Sequence, residues 1–133
     1  MTRARGDGGA AVVDFVLVSI LVITLFLLVF QVGVFFHVRT LLASAAAEGA
    51  RYGAAADRTP ADGALRAQTA VRDALGTRVA SKIRCVAAAG DGTIDVDGAR
   101  AVEIVCSGPL PIVFLPTPVV SLTVKGHALE EAR

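Results

Sequence analysis

The 133-residue sequence contains no tryptophan, one tyrosine and two histidines. Without tryptophan, the aromatic belt that often marks the interfaces of a membrane protein is missing. The histidines, His37 and His127, are not combined with a serine or cysteine nucleophile in a recognised catalytic motif. We therefore predict that the protein is not an enzyme and that it has no catalytic residues and no cofactor.

Charge of one sign is not in excess, because 13 lysines and arginines face 12 aspartates and glutamates, for a net charge of +1. No block of basic residues stands out. A nucleic-acid binder needs a concentrated positive patch to meet the phosphate backbone. We therefore exclude nucleic acid as a partner.

A set of metal ligands is also missing. The segment D-G-T-I-D-V-D-G resembles a calcium-binding loop, but placing Asp95, Asp97 and Gly98 at loop positions three, five and six puts Thr93 first and Ile104 twelfth. The first acid and the bidentate glutamate of such a loop are then absent. We predict a hairpin turn here and no metal site.

Apolar residues, in contrast, are abundant, and they form one long run. Apolar residues make up 54% of the chain, and the mean hydropathy is +0.64. The segment Phe15–Phe36 has no charged residue and, as a helix, would span roughly 33 Å, enough to cross a bilayer. We predict a single transmembrane helix over residues 15–36.

The orientation of this span is weakly encoded. The amino terminus, Arg3 and Arg5 precede it, offset by Asp7. The charged residues that follow it are Arg39, Arg51 and Arg58, offset by Glu48 and Asp57. The positive-inside rule slightly favours a cytoplasmic N-terminus and an extracytoplasmic C-terminal domain.

Two cysteines, Cys85 and Cys106, lie about twenty residues apart in strand-like segments. This spacing suits a disulfide formed in an oxidising compartment, in agreement with the predicted orientation. Two buried free thiols are the alternative.

The helix is predicted to continue from the membrane into water as far as Asp57. Small and apolar residues recur at steps of three and four, a pattern that lets another backbone approach closely: Val34, Val38, Leu41, Leu42, Ala45, Gly49, Tyr52 and Ala56. A neighbouring polar stripe consists of His37, Thr40, Ser44, Glu48 and Arg51. The residues assigned to helix packing are Gln31, Gly33, Glu48, Gly49 and Arg51. Glu48 and Arg51 alternatively form only a surface pair at i, i+3, and Gln31 needs a partner in lipid.

An α+β domain is predicted after this helix. Thr59, Pro60 and Asp62 begin a second helix that ends near Ser81. Its apolar side carries Leu65, Val71, Leu75 and Val79. The predicted strands are Lys82–Ala87, Thr93–Val96, Ala99–Ser107 and Val119–Lys125, with turns at Gly90-Asp91-Gly92 and Asp97-Gly98.

Four prolines between Pro109 and Pro118 exclude regular hydrogen-bonded structure in that segment. Its apolar residues Ile112, Val113, Phe114 and Leu115 must pack somewhere. We favour a loop folded over its own sheet over a partner-binding patch.

The sequence G-G-A-A-V-V-D-F, a long apolar run and then A-S-A-A-A-E-G-A-R-Y-G-A resembles the TadE-like family. These are small pilin-like proteins of the Flp (tight adherence) pilus assembly system. The resemblance, which is strongest from Gly9 to Ala56, implies cleavage by a prepilin peptidase after Gly9, with Ala10 as the mature N-terminus. Asp14 would then occupy the fifth position, where the family usually has glutamate. Without the resemblance, Asp14 is alternatively a helix N-cap near the headgroups.

The resemblance also implies a function in assembly. The expected parts are a leader (residues 1–9), a membrane and juxtamembrane helix (10–57) and an extracytoplasmic α+β domain (58–133). The expected partners are the prepilin peptidase, other pilin-like subunits and the pilus assembly platform, and Asp14 is expected to pair with a mature N-terminal amine. The expected location is the cell membrane and then a surface pilus.

An alternative is a secreted binding domain that signal peptidase releases after Ala45 or Ala47, since small residues surround both positions. The apolar region is about twice as long as the 7–15 residues usual for a signal peptide, and His37 and Arg39 intervene.

Overall fold

The structure is a computed structural model that describes residues 7–109 and 121–130. The chain divides into two units, residues 1–34 and 35–133, which are described separately below. Three predicted features lie partly outside the described residues: the first six residues of the leader, the proline-bearing segment after Pro109, and the first two residues of the last strand.

Helix α1 runs from Asp7 to Ala54. It begins three residues before the predicted start and ends three residues before the predicted end. The helix contains no proline, the residue that most strongly interrupts helical hydrogen bonding. In the first unit most large apolar side chains from Val12 onward are exposed, and Leu27 and Val34 are partly buried.

In the second unit, one face of α1 is buried. Its fully buried members are mostly small: Val38, Leu42, Ala45, Ala46, Gly49, Ala50, Gly53 and Ala54. Tyr52 was predicted to share this face, but its side chain is 37% exposed. The predicted polar stripe of His37, Thr40, Ser44, Glu48 and Arg51 is exposed throughout.

Helix α2, Pro60–Leu75, begins as predicted. The hydroxyl of Thr59 accepts a hydrogen bond from the Asp62 amide (3.2 Å), and the Asp62 carboxylate accepts one from the Thr59 amide (3.0 Å). Bonds from the Thr59 side chain and backbone lower the pKa of Asp62 below its ordinary value. The reciprocal bonds form a capping box that fixes the start of α2.

The predicted end of this helix, near Ser81, was wrong. Gly76 adopts a φ of 75° and closes α2, and a separate short helix α3 covers Thr77–Ala80. The predicted apolar face was also wrong at Leu65, which is 69% exposed. The buried face of α2 consists of Gly63, Ala67 and Val71.

Four strands form one antiparallel sheet: β1 (Arg84–Ala87), β2 (Thr93–Val96), β3 (Ala99–Pro109) and β4 (Ser121–Leu129). Strand β3 pairs with all three others. Strand β4 pairs with β3 from Ala101 to Pro109, a stretch that overlaps both the part of β3 paired with β1 and the part paired with β2. The strands β1 and β2 therefore lie end to end on the opposite edge of β3.

The predicted hairpin between β2 and β3 is present. Asp97 and Gly98 have φ values of 54° and 82°, as a two-residue turn with two left-handed positions requires. The Asp95 carboxylate accepts a hydrogen bond from the Gly98 amide (2.9 Å) and so acts within the turn. Within residues 7–109 and 121–130, no cluster of three or more His, Cys, Asp or Glu side chains forms a metal site.

Gln68 joins α2 to the outer edge of β1. Its side-chain nitrogen donates to the carbonyl of Ile83 (3.1 Å), and its side-chain oxygen accepts from the amide of Cys85 (2.9 Å). The side chain thus takes the place of a neighbouring strand at this edge, which leaves fewer backbone groups available for unwanted pairing.

Cys85 and Cys106 face each other across β1 and β3 and form a disulfide. Both side chains are buried. We expect the double variant Cys85→Ala/Cys106→Ala to lose about 3 kcal/mol of unfolding free energy, because the bridge closes a loop of about twenty residues. Urea unfolding of the full chain in detergent measures this loss. The wild-type protein under reducing conditions should show the same loss of unfolding free energy. A variant as stable as oxidised wild type would contradict the prediction.

Candidate functional site

The N-terminal end of α1 contains the residues expected to be processed. Gly9 and Ala10 are exposed, and the space around Gly9 is open, with no atom within 4 Å of where a side chain would begin. Glycine stabilises a helix by about 1 kcal/mol less than alanine. Gly9 therefore weakens this end of α1 and is exposed to solvent.

Asp14 lies inside α1, seven residues after its first described residue, and is exposed. It is therefore not the N-cap of α1 in the uncut chain, which was one interpretation of an acid at this position. Asp14 follows Ala10 by four residues, a spacing that places both on the same face of a helix about one turn apart. A charge on either residue is thus within reach of the other.

The helix that follows is long and apolar enough to cross a membrane. Its most apolar window has a mean hydropathy of 3.0, and none of that window is buried against other parts of the described chain. Phe26 and Phe30 stack on one side, with ring centroids 6.4 Å apart. Such a surface is costly in water and stable in lipid. It is compatible with a single-pass membrane anchor.

The exposed apolar helix, with an acid near its start, is the part of the chain that matches a known family. Residues 9–51 match the family model for TadE-like proteins. The resemblance to this family is confirmed over that segment, and it suggests involvement in the Tad pilus system. Comparisons with curated proteins and with solved structures found no match.

The TadE-like segment includes Gly9, Ala10, Asp14 and the whole apolar span, and it ends at Arg51. It therefore also includes most of the part of α1 that packs in the second unit, apart from Gly53 and Ala54. The sheet and α2 lie beyond it. The match thus concerns the anchor helix and its junction with the domain, and the sheet is described by its structure alone.

Gly49, one of the predicted packing residues, lies where α1 crosses α2. A side-chain carbon at Gly49 would lie 2.5 Å from the carbonyl oxygen of Gly63 and 2.7 Å from the Ala67 side chain. Gly53 also faces Gly63, and a side-chain carbon added at Gly53 would lie 3.3 Å from the Gly63 Cα atom. The two helices therefore touch backbone to backbone, which only small residues allow.

A third close approach joins α1 to the sheet. An added side-chain carbon at Gly126 in β4 would collide with the backbone of Ala46 and Ala47. Gly53, Gly63 and Gly126 were not among the predicted packing residues. Gly53 follows Gly49 by four residues, and this small-xxx-small spacing was a signal that could have identified it. Gly63 and Gly126 are far along the chain and gave no local signal.

Glu48 bonds to α2 rather than to its own helix. Its carboxylate lies 2.6 Å from Nη2 and 2.9 Å from Nε of Arg66. The predicted alternative of a surface pair with Arg51 is therefore replaced by a link between the helices, and Arg51 is exposed. Because both partners of the pair are about half exposed, it contributes little stability and mainly fixes orientation.

Gln31 and Gly33, the other two predicted packing residues, lie in the first unit. Gly33 is exposed with open space around it, and Gln31 is partly exposed. Their assignment to helix packing stays a prediction.

Proposed function

We propose that this protein is a minor pilin-like, or pseudopilin-like, subunit that is needed to assemble a Flp/Tad-type pilus. The single observation that carries the proposal is the TadE-like match, which begins at Gly9 and covers an exposed apolar helix. In the proposed topology the N-terminus is cytoplasmic and the α+β domain is extracytoplasmic. The partners are the prepilin peptidase, other pilin-like subunits and the assembly platform.

The proposed mechanism begins with cleavage after Gly9. The cut creates an α-amino group on Ala10, one helical turn before Asp14. A carboxylate near the apolar layer is unfavourable alone and acceptable when paired. Asp14 can then pair with its own Ala10 amine or with that of a neighbouring subunit, and the second pairing links subunits at a defined depth.

The disulfide supports the proposed side of the membrane for the domain, because buried disulfides persist in oxidising compartments. The domain is also tied to the helix by close backbone contacts at Gly49, Gly63 and Gly126.

The secreted alternative has no supporting observation. Release after Ala45 or Ala47 would remove Val38, Leu42 and Ala45 from the buried face of the second unit. Each lost apolar side chain leaves a cavity and costs stability. N-terminal sequencing of the protein from the membrane fraction separates the two functions: we expect a start at Ala10, and a start after Ala45 or Ala47 would establish the secreted form.

We expect Gly9→Leu to block maturation, because a branched side chain replaces the glycine at the proposed cleavage site. The uncut product should remain in the membrane and be about nine residues longer than the mature form. Gly33→Leu is the matched control, since Gly33 is also an exposed glycine of α1 with open space around it. Intact-mass measurement detects the leader. Normal maturation of Gly9→Leu would contradict the proposed site.

A further inference from the structure

Charged residues are distributed unevenly over the second unit. Positive side chains concentrate where α2 ends and β1 begins, because residues 72–84 contain four cations and a single acid, Asp73. Together with Arg39 of α1, these cations form a set that we call the basic end. All of its members are exposed: Arg39, Arg72, Arg78, Lys82 and Arg84.

The cations of the basic end lack the partners that other cations of the unit have. Ion pairs with a carboxylate are formed by Arg58, Arg66, Arg100 and Lys125. Within residues 7–109 and 121–130, no such pair includes a member of the basic end. Unpaired like charges on one surface repel each other, and an anionic partner relieves that repulsion. The basic end is therefore suited to bind an anionic surface.

Helices α1 and α2 run in opposite directions where they touch. Gly53 of α1 lies against Pro60, the first residue of α2. Gly49, one turn earlier in α1, lies against Ala67, two turns later in α2. Each turn of α2 beyond Ala67 therefore leads further back along α1, toward residue 35, where the second unit begins. At about 1.5 Å per residue, Leu75 at the end of α2 is level with about residue 41 of α1.

The start of β1 lies at this same end of the second unit. Pro60 at the start of α2 lies against Gly92, which follows β1. Gln68, further along α2, donates to the carbonyl of Ile83, which precedes β1. Helix α2 thus runs antiparallel to β1. The last two cations of the basic end consequently lie at the same end of the unit as the last turn of α2.

The other end of the sheet carries the opposite charge. Its acids lie in the turns on either side of β2, in β2 itself and after β4: Asp91, Asp97, Asp95 and Glu130. Arg100, which lies among them, is paired with Asp91 and Glu130. The second unit is therefore polarised along the sheet, positive where α1 enters and negative at the far end.

We propose that the basic end docks onto the anionic phospholipid headgroups of the membrane in which α1 is anchored. The inference rests on the membrane-anchored state of the proposed function. The predicted span ends at Phe36, and the level of residue 41 is roughly 8 Å further along α1. The headgroup layer on each side of the hydrocarbon core is roughly 5–8 Å thick. The basic end therefore lies within reach of the lipid phosphates.

Lipid phosphates match the chemistry of the basic end. An arginine side chain donates two parallel hydrogen bonds to a phosphate, and a lysine supplies a compact positive charge. Each such cation near an anionic membrane surface strengthens binding about fivefold. The same surface repels the acidic end of the sheet. Docking therefore also determines which end of the domain faces away from the membrane.

Photo-cross-linking to lipid tests the proposed contact. The full chain carries a benzophenone label on Thr77→Cys, an exposed position between α2 and Arg78, and is reconstituted into phosphatidylcholine vesicles with or without phosphatidylglycerol. Ala89→Cys, exposed in the turn that contains Asp91, is the matched control. We expect illumination to attach lipid to the Thr77→Cys label severalfold more often with phosphatidylglycerol, and to the Ala89→Cys label rarely in either membrane. Equal yields at Thr77→Cys in the two membranes would overturn the proposal.

Charge variants test which residues make the contact. Added to Thr77→Cys, Arg78→Gln/Lys82→Gln should reduce the lipid-linked fraction at least about tenfold, because two of the cations are lost. Arg51→Gln/Arg58→Gln removes the same charge from exposed residues near the junction of α1 and α2, and it should leave the fraction unchanged. Added salt should lower the yield with all cations present, because salt screens the attraction. An undiminished yield in Arg78→Gln/Lys82→Gln would contradict the proposed surface.

Two further measurements identify the partner. Soluble glycerol phosphate, at the same phosphate concentration as the vesicles, should not compete, because a membrane presents many phosphates at once. Loss of lipid cross-linking under this competition would overturn the choice of a membrane surface. In isolated membranes of the natural host, the Thr77→Cys label should again attach to lipid, and attachment only to a polypeptide would overturn that choice. The vesicles need no pilus genes, so failure there is distinguishable from failure of the proposed pilus function, which is measured by pilus assembly.

Discussion

Asp14→Ala is expected to insert into the membrane normally but to lose its association with other pilin-like subunits. Insertion does not require the carboxylate, and removing a charge makes the helix more apolar. Assembly requires it, because the proposed partner of Asp14 is the mature amine of Ala10 in a neighbouring subunit. We expect recovery of partner subunits to fall at least about tenfold, as loss of a charge pair in a low-dielectric layer predicts.

The measurement combines protease protection, which reports membrane insertion, with co-purification of partner subunits. Asp14→Glu is the matched control, since it keeps the charge on a side chain one carbon longer. It should recover partners at wild-type levels. If Asp14→Ala is inserted and recovers partners as well as wild type does, Asp14 acts only within its own helix and the proposed pairing is wrong.

Gly49→Leu is expected to separate the domain from α1. Any side chain at this position would begin 2.5 Å from the backbone oxygen of Gly63, and a backbone atom cannot move aside as a side chain can. Overpacking of a well-packed contact typically costs 1–3 kcal/mol, and we expect about 3 kcal/mol here because the collision involves backbone. Leucine favours a helix over glycine by less than about 1 kcal/mol, and this gain does not offset the cost of the collision.

Urea unfolding of the full chain in detergent, followed through the domain, measures this effect. Gly33→Leu introduces the same substitution on the same helix where the surrounding space is open, and it should leave domain stability unchanged. Equal stability of the two variants would mean that α1 and α2 do not cross at Gly49 as closely as described.

The parts of the fold that could be predicted are those with local causes. Thr59, Pro60 and Asp62 lie within four residues of one another and specify a helix start by their own hydrogen bonds. Asp97 and Gly98 specify a tight hairpin turn because they tolerate positive φ. The apolar span follows from composition over a continuous stretch of sequence.

The parts that could not be predicted depend on contacts between distant residues. Leu65 was assigned to a buried face because it is apolar, yet it is 69% exposed, and Gly63 and Ala67 are buried in its place. The helices approach so closely there that small size decides the packing, and hydropathy does not report size. The Glu48–Arg66 pair joins residues 18 positions apart, beyond the reach of helical spacing.

The candidate site likewise combines features with local causes and features with long-range causes. The assignment of Gly9, Ala10 and Asp14 to a prepilin-type site stays a prediction; it is implied by the family resemblance, which a short, local pattern carries. The contacts that hold the TadE-like segment to its domain required the structure, since Gly63 and Gly126 lie 14 and 77 residues after Gly49. Long-range packing therefore decides which residues hold α1 against α2 and the sheet, and short-range spacing does not reveal it.

The most direct test of the central claim is a count of surface pili in the natural host after deletion of this protein. Electron microscopy would compare the deletion strain carrying an empty vector, the wild-type protein, Asp14→Ala or Asp14→Glu. The account predicts that pili are lost in the deletion strain, restored by wild type and by Asp14→Glu, and not restored by Asp14→Ala. Normal piliation in the deletion strain with an empty vector would contradict it.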